Sequence, residues 1–241
     1  MDRIVTVLPD KPALVQRALE LVVTRLQAAV EQRGLGTIVL AGGSTPKPLY
    51  EAIAGKDLAW DKIHIFWGDE RYVPSDHPDS NQGMARKAWL DRVAIPPENI
   101  HPMPTNAGDP AIDAAQHEQE LQTFFKIEPG TFPPFDIILL GMGDDGHTAS
   151  LFPSTQALQV CDRLITVGNK GKDPRITFTI PLINQANTVI FLVAGAGKQT
   201  ALAQVFADEA DPTLYPSRFI RPQGELCWLL DQAAGANLET I

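Results

Sequence analysis

The chain has 241 residues and a formal net charge of −9, from 20 Lys and Arg against 29 Asp and Glu. Hydrophobic residues make up 44% of it, which is typical of a globular protein and argues against a disordered chain. The acidic balance argues against a general nucleic-acid-binding or membrane-binding protein. A phosphorylated ligand therefore needs a local cluster of cations and backbone N–H groups.

The N-terminal sequence and the cysteines indicate a cellular compartment. Residues 1–16 lack the basic segment and apolar run of a signal peptide, and no apolar run reaches the roughly 18 residues of a membrane span. Cys161 and Cys227 show no metal-ligand spacing and are few enough to suit a reducing compartment. We therefore expect a cytoplasmic protein without a membrane partner.

Apolar runs of strand length alternate with helical patterns along the chain. Up to residue 110 the patterns predict, in order, a strand at 4–8, a helix at 11–32, a strand at 37–40, a helix that Thr45 caps and Pro46 opens, a strand at 62–67, a helix at 81–93 and a proline-rich surface connection at 94–110. Beyond it they predict a helix at 111–125, strands at 135–140, 164–167, 175–180 and 187–194, a helix at 198–207 and a strand at 227–230. Short apolar strands separated by helices predict a mainly parallel sheet covered on both faces.

Ligands of such sheets bind beyond the carboxyl ends of the strands. At the first of these ends lies the turn Gly42, Gly43, Ser44 and Thr45, where glycines let the backbone approach a ligand and the next helix offers unpaired N–H groups. This favours an anion site, although an ordinary strand–helix turn has the same pattern.

A second strand end carries the consecutive charges Asp69, Glu70 and Arg71. The guanidinium of Arg71 is suited to a phosphate, and Asp69 is suited to a hydroxyl or proton partner. A solvated loop is the alternative interpretation.

The segment 141–148 combines three glycines, two aspartates and His147. Its glycines fit the G-x-G-x-x-G pattern of dinucleotide-binding proteins, but Asp144 and Asp145 place negative charge where a pyrophosphate lies. Pro153 also leaves room for only a short turn in place of the helix that follows this motif. These two features argue against a dinucleotide-binding site in this segment.

His147 is the candidate general base, because an imidazole with an unperturbed pKa of ~6.5 exchanges protons near neutral pH. A structural histidine in a loop is the alternative. The sequence leaves the partner of His147 open among Asp144, Asp145 and Asp69. The chain has neither the histidine spacing of a metal site nor the G-x-S-x-G motif of serine hydrolases, and the other four histidines receive no role.

Two further cations lie where predicted elements begin. Arg175 starts a strand pattern, and Lys198 opens a helix pattern. Singly, each is typical of a surface charge. Together with Arg71 and the turn 43–45, they form the local cluster that a phosphate needs.

These motifs resemble the 6-phosphogluconolactonase family, which shares a superfamily with glucosamine-6-phosphate deaminases. The resemblance spans about residues 4–230 and rests on LAGGSTPKPLYEAI, HIFWGDERYVP, FDIILLGMGDDGHTASLFP, PRITFTIPLIN and VAGAGK. GMGDDGHTASLFP is specific to the family, whereas AGGST is not. The resemblance implies a Rossmann-like three-layer α/β/α fold, a single domain over 1–241 and no metal or organic cofactor. We expect a monomer, because no apolar helix face is left over once the sheet is covered.

The resemblance also implies hydrolysis of a sugar-phosphate lactone, 6-phospho-D-glucono-1,5-lactone, in the pentose phosphate pathway. His147 is then the base that activates water, and Asp144 belongs to the catalytic set. Substrate binding falls to Gly42, Gly43, Ser44, Thr45, Asp69, Arg71, Arg175 and Lys198. Backbone N–H groups at 143–146 are expected to stabilise the oxyanion.

Two alternatives to this function remain. In the sister activity, deamination of an amino-sugar phosphate, an acid in an Asn-Glu-Pro sequence follows the same turn. This chain has Ser150-Leu151-Phe152-Pro153 there, without a carboxylate. The other alternative is a sugar-phosphate-binding regulator without catalysis, against which His147 and Asp144 argue.

Overall fold

A computed structural model describes residues 3–238 of the chain. Its strands are β1 (Arg3–Leu8), β2 (Gly36–Leu40), β3 (Ile63–Trp67), β4 (Asp69–Arg71), β5 (Ile100–His101), β6 (Ile137–Leu140), β7 (Ile165–Lys170), β8 (Asp173–Phe178), β9 (Thr188–Val193) and β10 (Glu225–Asp231). Its α-helices are α1 (Lys11–Arg33), α2 (Lys47–Ile53), α3 (Asn81–Ala88), α4 (Pro110–Phe125), α5 (Ile180–Ile183), α6 (Gln199–Phe206) and α7 (Gln232–Gly235). None of the helices between residues 3 and 238 combines the length and hydrophobicity of a membrane-spanning helix.

The main sheet has seven strands in the order β1-β10-β9-β6-β2-β3-β5, and every neighbouring pair is parallel. This confirms the predicted parallel sheet. From β2 the chain continues through β3 to β5, and then returns to the other side of β2 with β6. The order of strands therefore reverses between β2 and β6, which is where the crossover loops diverge and leave room for a ligand.

The core lies on both faces of the main sheet. Successive side chains of a strand point to opposite faces. Accordingly, Ile38 and Leu40 pack in the cluster that contains Leu14 and Leu26 of α1, whereas Val39 packs in the cluster that contains residues of α4 and α6. The three-layer α/β/α prediction is therefore confirmed.

A small antiparallel sheet, in the order β4-β8-β7, lies beside the main sheet. Gly68 joins the two sheets: its N–H donates to the Leu40 carbonyl at 3.0 Å, and its carbonyl accepts from the Phe178 N–H at 2.8 Å. The sequence predicted β7 and β8 as strands but not their separate sheet. It treated residues 69–71 only as charged residues after a strand.

Three local predictions are wrong. Thr45 does not cap α2, because the helix begins at Lys47 and Pro46 already has helical dihedral angles, with φ −78° and ψ −19°. The helix at 81–93 ends at Ala88, where the buried Trp89 leaves the helical conformation and packs on the rings of Tyr50 and Trp60. The connection at 94–110 contains β5, which pairs with β3 at the sheet edge.

Three histidines outside the candidate site gather around Glu120 of α4. Glu120 accepts hydrogen bonds from His101 at 2.9 Å and from His117 at 3.0 Å, and a ring nitrogen of His64 lies 3.1 Å from one of His101. Burial alone raises the pKa of Glu120, but the hydrogen bonds and charges of His101 and His117 outweigh it and lower that pKa to about 2. The cluster therefore joins α4 to the β3–β5 edge through an ionised carboxylate.

A Glu120→Gln variant should be less stable than the wild type at pH 5–6, and the difference should shrink as the pH falls. The folded-state pKa lies below the ordinary value of 4.5, so the carboxylate stabilises the fold above pH 4.5 and loses this effect as the pH falls towards 2. Urea unfolding of both proteins at several pH values measures the difference. A difference that stayed constant down to pH 3 would contradict the assignment.

Candidate active site

A cleft of about 310 Å³ opens at the carboxyl edge of the main sheet, around the ends of β2 and β6. It is lined by nine of the ten predicted site residues, namely Gly42, Gly43, Ser44, Thr45, Asp69, Arg71, His147, Arg175 and Lys198. Asp144 does not line it but contacts Lys198. Asn81 and Lys170 also line the cleft and were not predicted.

The turn at 42–45 presents its backbone to the cleft. Gly43 has φ +96°, a conformation that favours glycine. The Ser44 carbonyl is held by the Lys11 ammonium at 2.9 Å. Among the described residues, no acceptor binds the N–H groups of residues 42–45, so four donors remain for an anion.

Asn81 explains why residue 42 must be glycine. A Cβ on Gly42 would lie 2.0 Å from the Asn81 side-chain oxygen, so no side chain fits there. Asn81 in turn donates to the Asp69 carbonyl at 2.9 Å. The sequence did not predict Asn81 as a residue of the cleft, because its position depends on the close approach of the start of α3 to the distant turn at 42–45.

Glu70 anchors the start of α3 beneath the cleft. Its buried carboxylate accepts from the N–H groups of Asn81 at 2.8 Å, Gln82 at 2.7 Å and Arg71 at 2.8 Å. Burial raises the pKa of Glu70, although these backbone donors favour the ionised form. Glu70 therefore ties β4 to α3 and is a structural residue of the site.

Arg71 and Arg175 lie directly opposite each other on β4 and β8 and share one face of the small sheet. The Nε atom of each is buried, and neither has a hydrogen-bond partner among the described residues. Burial and the Arg71 charge lower the pKa of Arg175, against the attraction of Asp69. Like charges directly across two strands are unfavourable, so this pair is suited to an anion that binds both guanidinium groups.

His147 is oriented by Asp145. The Asp145 carboxylate lies 2.5 Å from His147 Nδ1 and also accepts from the His147 N–H at 3.1 Å. Burial alone raises the pKa of Asp145, but these bonds and the His147 charge hold that pKa below its usual value. A Cβ on Gly143 would lie 2.0 Å from His147 Nδ1, so the glycine makes room for the ring.

The structure decides the partner of His147 and narrows the set of oxyanion donors expected at 143–146. Neither Asp144 nor Asp69 orients His147: Asp144 lies 2.6 Å from the Lys198 ammonium, and Asp69 accepts from the Ser150 hydroxyl at 2.7 Å. The N–H groups of Gly143 and Gly146 are not free for an oxyanion, because they donate to the carbonyls of His147 at 2.8 Å and Gly143 at 3.0 Å. The turn closes on itself through these bonds.

An Asp145→Asn variant should lower the kcat of a reaction in which His147 is the base about tenfold, because a charge-assisted hydrogen bond is worth about 1.5–3 kcal/mol when sheltered and less when half exposed. Asp144→Asn is the matched comparison, since it changes the neighbouring carboxylate and releases Lys198. We expect it to raise KM more than it lowers kcat. Steady-state kinetics of both variants measures these changes. If Asp144→Asn lowered kcat and Asp145→Asn mainly raised KM, Asp144 would be the residue that orients His147.

Comparisons with known proteins identify the family of this chain. Residues 9–228 match the family described as glucosamine-6-phosphate isomerases/6-phosphogluconolactonase. A 6-phosphogluconolactonase of Nostoc is 67% identical, with 99% of each chain covered, and one of Synechocystis is 68% identical, with 97% of this chain and 98% of that one covered. The structure of 6-phosphogluconolactonase from Trypanosoma brucei has a TM-score of 0.86 at 32% identity, with 99% of each chain covered. A monomeric glucosamine-6-phosphate deaminase, at 18% identity and TM-score 0.81, shares the fold. This chain therefore belongs to the glucosamine-6-phosphate isomerase/6-phosphogluconolactonase family.

Proposed function

We propose that the chain hydrolyses 6-phospho-D-glucono-1,5-lactone to 6-phospho-D-gluconate in the pentose phosphate pathway. The observation that carries the proposal is the shared cleft of His147, held by Asp145, and the facing pair Arg71 and Arg175. The name 6-phosphogluconolactonase of relatives at 67% and 68% identity supports it.

Hydrolysis of the lactone needs an activated water and a proton for the departing ring oxygen. With Nδ1 bound to Asp145, the other ring nitrogen of His147, Nε2, is left to take a proton from water as its oxygen attacks the lactone carbonyl. The carbonyl carbon–ring oxygen bond then breaks, and the imidazolium returns the proton to that oxygen. His147 thus ends the reaction as it began, and no other reagent is consumed.

The substrate phosphate is assigned to the Arg71–Arg175 pair, and its binding energy orients the lactone towards His147. Because the N–H groups of Gly143 and Gly146 are occupied, the donors assigned to the oxyanion among the described residues are the N–H groups of Asp144, Asp145 and residues 42–45 and the Lys198 ammonium. Stabilisation of the tetrahedral oxyanion by such donors lowers the barrier.

The proposal also includes a cytoplasmic, monomeric enzyme with a single domain over residues 1–241 and no organic cofactor. Its net charge of −9 supports a small-molecule substrate and not a nucleic acid as the partner.

The test is lactone hydrolysis near neutral pH, with freshly prepared substrate and subtraction of its spontaneous hydrolysis. We expect clear acceleration by the wild type and no ammonia release from glucosamine 6-phosphate. Absence of acceleration would overturn the proposal. Ammonia release would then indicate a deaminase, and its absence a binding protein.

A further inference from the structure

The side chain of Phe152 lies between His147 and Arg175. The Phe152 and His147 ring centroids are 4.5 Å apart, and the Arg175 guanidinium carbon lies 5.5 Å from the centroid of the same phenyl ring. Phe152 is only 5% exposed. One buried ring therefore contacts both the proposed base, in the loop after β6 of the main sheet, and a proposed phosphate ligand, on β8 of the small sheet.

The backbone around Phe152 is fixed on both sides. Before it, the Leu151 N–H donates to the Thr148 carbonyl at 2.9 Å, and the Ser150 hydroxyl donates to Asp69 at 2.7 Å. After it, the Thr155 hydroxyl donates to the Phe152 carbonyl at 2.8 Å. The anchored backbone therefore fixes the place of this buried ring, which lies behind the residues that line the cleft.

No hydrogen bond within residues 3–238 fixes the Arg175 guanidinium, although nearby carboxylates such as Asp69 attract it. Its Nε atom is buried without a partner among residues 3–238, and Arg71 opposite repels it. The face of an aromatic ring attracts a guanidinium, so Phe152 offers a favourable contact that Arg71 does not. On the other side, contact with the phenyl ring restricts the His147 imidazole while Asp145 holds its Nδ1.

We propose that Phe152 is a positioning residue that sets the spacing between His147 and Arg175 and so makes hydrolysis depend on the substrate phosphate. This inference rests on the proposed lactonase function. A lactone held by its phosphate at Arg175 presents its carbonyl to His147 only when both side chains keep their places. A misplacement of about 1 Å in such an arrangement costs up to about 10²-fold in rate.

The test compares two substrates, 6-phosphogluconolactone and unphosphorylated glucono-1,5-lactone. Phe152→Leu keeps an apolar side chain but removes the aromatic face. We expect its kcat/KM for the phosphorylated lactone to fall at least about tenfold and more than for the unphosphorylated one, so that the preference for phosphate decreases. Phe152→Tyr, which keeps the aromatic face, should restore the preference.

A double-mutant cycle with Arg175→Ala separates positioning from a general loss of packing. In the Arg175→Ala background, Phe152→Leu should no longer change the preference for phosphate, although it should still lower kcat through His147. Thermal unfolding checks that each variant is folded. If Phe152→Leu does not fold, Phe152→Met takes its place in the same cycle.

The outcomes separate this inference from the function on which it rests. If the wild type hydrolyses the lactone and a folded Phe152→Leu variant keeps the full preference for phosphate, the inference is wrong and the proposed function stands. A loss of preference that is equally large without Arg175 would also overturn it. If the wild type does not accelerate hydrolysis, the proposed function and the inference both fail.

Discussion

Replacement of His147 by Ala is expected to lower kcat for 6-phosphogluconolactone by about 10²–10⁴-fold, which is the usual contribution of a general acid–base residue. KM should change little, because His147 is assigned to the reacting water and Arg71 and Arg175 to the phosphate. Rates measured at several enzyme concentrations, after subtraction of spontaneous hydrolysis, give both constants. A variant with unchanged kcat would remove His147 from the mechanism.

Two glycines of the same turn provide a matched test that leaves His147 in place. A Cβ on Gly143 would meet the His147 ring at 2.0 Å, whereas a Cβ on Gly141 would have no atom within 4 Å. Gly143→Ala should therefore displace the imidazole and approach the loss of His147→Ala, while Gly141→Ala should cost far less. Equal losses in the two alanine variants would contradict the orientation of His147 described above.

Replacement of Arg175 by Ala is expected to lower kcat/KM for the phosphorylated lactone by about 10–10²-fold, mainly through KM, because hydrogen bonds to charged groups contribute about 1.5–3 kcal/mol each. Arg175→Lys should recover only part of the loss, since an ammonium lacks the planar pair of donors that fits a phosphate. Inhibition by inorganic phosphate should weaken in parallel.

Arg25→Ala is the control for the loss of a positive charge. Arg25 lies on α1 outside the cleft, where it pairs with Glu225. If Arg25→Ala raised KM as much as Arg175→Ala, the effect would come from the overall charge of the protein. An Arg175→Ala variant with normal KM would exclude the Arg71–Arg175 pair as the phosphate site.

The sequence was sufficient for the main sheet and for most of the cleft. Continuous apolar runs such as residues 188–193 form buried parallel strands because helices cover both faces of such a sheet. Once the strands are parallel, their carboxyl ends share one edge, and His147 and the turn at 42–45 come together across the β2–β6 reversal. This convergence follows from topology alone.

What the sequence could not predict depends on contacts between distant segments. The strand Asp69–Arg71 has no apolar pattern and forms only because β8, about a hundred residues later, pairs with it. The choice between Asp144 and Asp145 depends on the path of a tight turn, which directs adjacent carboxylates to Lys198 and His147. Asn81 fits beside the turn at 42–45 only because residue 42 is a glycine and has no side chain.

The junction at Gly68 has a consequence for engineering. His147, the proposed base, follows β6 of the main sheet, whereas Arg71 and Arg175 lie on the small antiparallel sheet. Strand β4 cannot be exchanged whole, because Glu70 holds α3 and Asp69 accepts from Ser150, but single positions of the small sheet that line the cleft can be varied. Libraries that vary residues 71, 170 and 175 should retune which acidic group on a lactone is accepted, from phosphate to sulfate or carboxylate, while the histidine turn is left untouched.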